Sequence, residues 1–135
     1  MLGVHDFLKL AEWDYQICLA LEKDLAEEYA QNGVLYHIQQ AVEKLLKAIL
    51  LTSGINPEYT HNIVKLAAKC SDVGIALPAC LDDISDALTL WEVSSRYDPF
   101  IVYSEKKYEK AKEAFLALDE LAHTLVQPEE EDRTD

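Results

Sequence analysis

Apolar positions along this chain recur with helical spacing almost throughout. The clearest case is Leu35 to Leu51, LYHIQQAVEKLLKAILL. At about 100° per residue, Ala48, Ala41, Leu45, Ile38, Ile49, Val42 and Leu46 fall on one broad face. A stripe that wide belongs to a helix packed against several others. The opposite face carries His37, Gln40, Glu43, Lys44 and Lys47. Taken alone, that face reads as solvated and laced by i,i+4 pairs such as Glu43–Lys47. The alternative is a polar site on the surface of a bundle.

The rest of the chain follows the same period. Leu8, Ala11, Tyr15, Cys18, Leu21 and Leu25 predict a first helix from about His5 to Tyr29. Asn32-Gly33 is expected to stop it, because both residues tolerate the left-handed conformation that ends helices. The second helix then runs from about Val34 to Leu51, with Thr52-Ser53-Gly54 and Asn56-Pro57 as a loop. Thr60 is expected to cap a short third helix, about His61 to Cys70, carrying Ile63, Leu66, Ala67 and Cys70 inward. Ser71-Asp72-Val73-Gly74 breaks it. Pro78 opens a fourth helix with Leu81, Ile84, Ala87, Leu88 and Trp91 inside, and Asp98-Pro99 ends it. Ser104 caps a last helix, about Glu105 to Val126, with Tyr108, Ala111, Phe115, Leu118, Leu121 and Leu125 in its core stripe. No segment alternates like a strand. The expected fold is all-α, an antiparallel up-and-down bundle of four or five helices over residues 1–127. The tail PEEEDRTD, 128–135, is expected to be disordered.

Bulk properties narrow the function. A chain of 135 residues makes one domain with a real core. The net charge is −13; the terminal EEEDRTD accounts for −4, so the remainder still carries −9. That balance argues against broad binding to a nucleic-acid backbone while leaving room for a local basic site. Cys18, Cys70 and Cys80 are odd in number and widely spaced, as expected of reduced, buried thiols in a cytoplasmic protein. No signal peptide is visible, and no apolar run approaches a membrane span.

Motifs of catalysis are scarce. Glu58…His61 and Glu120…His123 have the Glu-x-x-His spacing of di-iron bundles, but Glu58 lies in a loop and no second pair of inward carboxylates accompanies them. The Cys and His residues are too scattered for zinc. Phosphate loops and nucleophile motifs are absent, so neither a metal nor a cofactor is expected. What remains is His37, Gln40, Lys44 and Lys47 on the second helix, Thr60-His61-Asn62 at the third, and Arg96 in WEVSSRYDP at the end of the fourth. Arg96 could satisfy the last carbonyls of its helix, or hold a phosphate in bidentate fashion.

The run YHIQQAVEKLLKAILLTSG, then THNIVKL, then WEVSSRYDPF, resembles the HEPN domain, the higher eukaryotes and prokaryotes nucleotide-binding domain, over about residues 6 to 126. The resemblance implies a helical bundle, commonly a homodimer, and association with a minimal nucleotidyltransferase in toxin–antitoxin or nucleotide-modifying pairs. It implies a polar patch of His37, Gln40, Glu43, Lys44, Lys47, His61 and Arg96, with Tyr97 beside it. The ribonucleases of the family carry a His separated from the Arg by four to six residues. Here Ile101, Val102 and Tyr103 stand in that region, and no His follows until His123. Arg-Tyr-Asp-Pro also replaces Arg-Tyr-Pro. The resemblance therefore implies a non-catalytic branch that binds a nucleotide or a nucleotidyltransferase partner. Two alternatives stay open: an endoribonuclease toxin using Arg96 with His37 or His61, and a structural dimerisation module.

Overall fold

Helix α2, Glu28–Thr52, is the axis of the molecule, and α1, α3, α5 and α6 all pack on it. The computed structural model describes residues 2–57, 59–97 and 102–126, with the side chains of 93–97 outside the description, as are the expected tail and Asp98-Pro99. The other elements are α1 (Val4–Leu21), a 3-10 turn (Glu22–Asp24), α3 (Ile63–Asp72), α4 (Ala79–Asp82), α5 (Ser85–Tyr97) and α6 (Glu105–Leu125). Among the described residues there is no strand, and the all-α bundle expected from the periodicity is what forms. The predicted stripe of α2, from Ile38 through Ile49, is fully buried. At 1.5 Å per residue this helix runs roughly 37 Å, long enough to touch every layer of the bundle.

Three boundaries differ from the sequence reading. Asn32-Gly33 does not stop a helix but lies inside α2, and the break falls at Glu22–Glu27 instead. Gly33 serves close packing there: a Cβ on it would sit 2.6 Å from Leu21 Cδ1. The turn itself is tied by Tyr29 donating to Asp24 Oδ2 (2.8 Å) and Gln31 Nε2 donating to the Leu25 carbonyl (2.8 Å). Second, Asn62 rather than Thr60 caps α3, accepting from Lys65 N at 2.9 Å. Thr60 accepts one step earlier, from Asn62 N (3.1 Å), and His61 stands outside the helix, ahead of it. Third, the expected fourth helix is split. The i→i+3 bonds Leu81 N to Pro78 O and Ile84 N to Leu81 O, both 3.1 Å, tighten the chain so that α4 lies on α6 while α5 turns onto α2 and α3.

The ends match expectation where glycine or serine sets them. Gly54 (φ 75°) and Gly74 (φ 87°) follow α2 and α3 in the left-handed region. Ser104 accepts from Lys107 N (3.2 Å) to cap α6. In α6, Tyr108, Ala111, Phe115 and Leu118 are buried as expected, but Ala122 takes the last inward position and Leu125 faces out. Cys18 and Cys70 are buried, Cys80 is half-buried, and none is bridged. No helix among the described residues is long and apolar enough to cross a membrane.

Candidate functional site

The polar face of α2 is not wet. Gln40 and Glu43 are only 8 % and 3 % exposed, and Gln39 is wholly covered, because α1 packs on one side and the segment before α3 on the other. A buried carboxylate must be matched by donors, and each of two carboxylates here is matched by one lysine and one histidine.

The first set joins α1 to α2. Asp14 lies in the middle of α1, and His37 and Lys44 stand two turns apart on α2, on one face. His37 Nδ1 lies 2.8 Å from Asp14 Oδ1, and Lys44 Nζ donates to Asp14 Oδ2. The second set joins α2 to the segment before α3. Glu43 Oε2 accepts from Lys47 Nζ at 3.0 Å, the i,i+4 pair expected from the spacing. Glu43 Oε1 meets His61 Nδ1 at 3.0 Å and accepts from Gln39 Nε2 at 3.1 Å. Gln39 Nε2 also reaches the His61 carbonyl (3.3 Å), and its Oε1 accepts from Gln40 Nε2 (2.7 Å). An ionised carboxylate only accepts, so against it each histidine donates from Nδ1, and Nε2 is the nitrogen turned away from the carboxylate.

Between the two sets opens a groove of about 580 Å³. Gln40, Glu43, Lys44, Lys47 and His61 line it together with Asn56, Leu2, Phe7, Leu10, Pro57 and Tyr59. Each ammonium has three N–H groups and spends one on its carboxylate, so both retain donors for an incoming anion. Among the described residues no group of His, Cys, Asp and Glu has the arrangement of a metal centre. His61 pairs with Glu43, while Glu58 lies outside the described residues.

Five of the eight predicted residues thus share one groove. His37 stands behind it, reaching it through Asp14 and Lys44. Arg96 and Tyr97 occupy the last turn of α5, their side chains outside the described residues. His123, the first histidine after Arg96, is on the exposed face of α6, with Nδ1 2.8 Å from the Asp119 carbonyl. Sequence reading missed Asp14 and Gln39. Their signal was present: Asp14 falls three residues after Ala11 and four before Cys18, on the inward stripe, and Gln39 falls between Leu35 and Val42 in the same way. A polar residue on an apolar stripe needs a buried partner.

The family model of the HEPN domain matches residues 4–126, nearly the whole chain, and the chain belongs to that family. No curated protein and no solved structure matches it.

Proposed function

We propose that this HEPN domain binds a nucleotide through its phosphates in the groove between α1, α2 and the segment before α3, without cleaving RNA. One observation carries the reading: Lys44, Lys47 and His61 converge on a groove whose volume, about 580 Å³, suits a small ligand. Phe7, Pro57 and Tyr59 offer apolar faces on which a base can rest, while the ammonium groups take the phosphates. Arg96, carried over from the family pattern, would add a bidentate contact. The reading is non-catalytic because the chain has no histidine at the ribonuclease spacing after Arg96.

Calorimetric titration with ATP, ADP and AMP tests it. Lys44→Gln and Lys47→Gln remove the charge but keep a donor for the carboxylate, and each is expected to weaken binding about tenfold or more. Equal affinity in both variants, or no binding to any of the three nucleotides, overturns the reading. RNA cleavage that Arg96→Ala abolishes overturns its non-catalytic part and favours the ribonuclease alternative.

A protein partner is supported by a separate observation. On the outer face of α1, Trp13 is 58 % exposed and Ile17, one turn on, 40 %. This face would seat a second copy of the chain or a minimal nucleotidyltransferase, in a cytoplasmic pair of the toxin–antitoxin kind; the unbridged cysteines suit a reducing compartment. Sedimentation velocity is expected to show an assembly that Trp13→Glu dissociates, and an assembly unchanged by it removes α1 from the interface.

A further inference from the structure

The charges of the groove cancel within the protein. Lys44 is held by Asp14 and Lys47 by Glu43, so the two ammonium groups and two carboxylates sum to zero before any ligand arrives. Both carboxylates are at least nine-tenths covered, and a phosphate entering beside them meets their repulsion in a medium less screening than water. Histidine is the side chain whose ordinary charge change falls near neutral pH, and two imidazoles stand on these carboxylates. Each has its Nδ1 on one of these carboxylates and its Nε2 on the far side of the ring.

Among the described residues, titratable and charged groups on the elements packed against each imidazole include the following. Across from His37, α1 presents Asp14; on α2 itself, Lys44 shares that carboxylate and the Tyr36 ring stands edge-on at 5.0 Å. Across from His61, α2 presents Glu43 with Lys47 on the same carboxylate. On its own segment are Tyr59, and Lys65 in the first turn of α3. From α5, Thr89 accepts from Ile63 N at 3.2 Å, and the buried Glu92 lies one turn further along.

We propose that phosphate binding in this groove is coupled to proton uptake at His37 and His61, so that affinity falls as pH rises from 6 to 8. A proton from solvent enters Nε2; the imidazolium then satisfies the charge of Asp14 or Glu43. Lys44 and Lys47 are thereby released to turn their donors toward the phosphate. Linkage makes the effect reciprocal: a bound dianion favours the protonated imidazole as much as the protonated imidazole favours the dianion. The inference rests on the reading of the groove as a nucleotide site and adds its regulation.

The test is titration of the full chain with ATP near pH 8, in buffers of widely different ionisation enthalpy. Phosphate groups have their second pKa near 6, so at this pH proton uptake belongs to the protein. Wild type is expected to take up about one proton per ATP, seen as a buffer-dependent heat, with affinity falling roughly tenfold per pH unit. The double variant His37→Asn/His61→Asn keeps an N–H for each carboxylate but cannot titrate, and its binding heat is expected not to depend on buffer. ATP binding by wild type with a buffer-independent heat overturns the proton linkage alone, whether or not the double variant folds. Uptake that persists in a folded double variant overturns the assignment to these histidines. Absence of ATP binding at both pH 6 and pH 8 overturns the nucleotide site and the linkage with it.

Discussion

Glu43→Ala is expected to lower the stability of the domain by about 3 to 5 kcal/mol, the range for removing one partner of a buried ion pair. Glu43 is 3 % exposed and accepts from Gln39, Lys47 and His61. Lys47 is itself only 12 % exposed at its side chain, so deletion leaves an ammonium with little water to turn to. The same deletion cuts one of the links between the segment before α3 and α2, leaving the Gln39 bond to the His61 carbonyl. Urea unfolding followed by circular dichroism measures the loss directly, and the thermal midpoint should drop by ~10 °C or more. Glu43→Gln keeps the shape and one acceptor and is expected to cost less. Glu43→Ala/Lys47→Met should recover part of the loss, because the stranded charge is gone. A cost below about 1 kcal/mol for Glu43→Ala would show that the pair behaves like an exposed one, and that the groove floor is wetter than described.

That experiment probes the part of the molecule least legible in the sequence. The apolar face of α2 could be read directly, because a stripe of Ile38, Val42, Leu45, Leu46 and Ile49 has one way to be buried in a helix. The opposite face could not. Periodicity says which side of a helix is polar, but whether that side meets water depends on what other helices bring to it. Asp14 decides the matter: its carboxylate draws His37 and Lys44 under α1, and only the tertiary arrangement reveals it. Boundaries failed for a related reason. Gly33 carries a helix-stop signal locally, yet its missing side chain is used where Leu21 crosses close by. His61 was read as the start of a helix, whereas it lies in the segment before the helix, with its ring on Glu43. The residues that gather at the groove were singled out by their place on the polar face, and the HEPN resemblance joined them into one patch; that Asp14 and Glu43 organise them follows from burial.

Alkaline pH offers a second large effect, arising in the core instead of the groove. Stability is expected to fall between pH 9 and about pH 12. Burial raises the Cys18 thiol from 9.0 to about 12, and burial alone raises the Cys70 thiol from 9.0 to about 11. In the unfolded chain both thiols lose their protons near pH 9, whereas in the folded chain they keep them well beyond it. Their contribution is therefore fully present below pH 9 and is lost as pH rises through the folded values. At pH 10 the loss is about 1.4 kcal/mol for each thiol, close to 3 kcal/mol for the pair. Tyr108 adds to it at higher pH, since burial also raises its phenol above 10.0. Urea unfolding at pH 8, 9 and 10 samples the window in which ordinary lysines, titrating near 10.4, still hold most of their charge. The variant Cys18→Ala/Cys70→Ala should be less stable at pH 8 and slope less than wild type between pH 9 and pH 10, the remaining slope coming from Cys80, whose thiol burial also raises. A wild-type stability equal at pH 8 and pH 10 would place the thiols in contact with water. That would contradict the burial of Cys18 between α1 and the axis of the bundle, where its thiol meets the Val34 carbonyl at 3.6 Å.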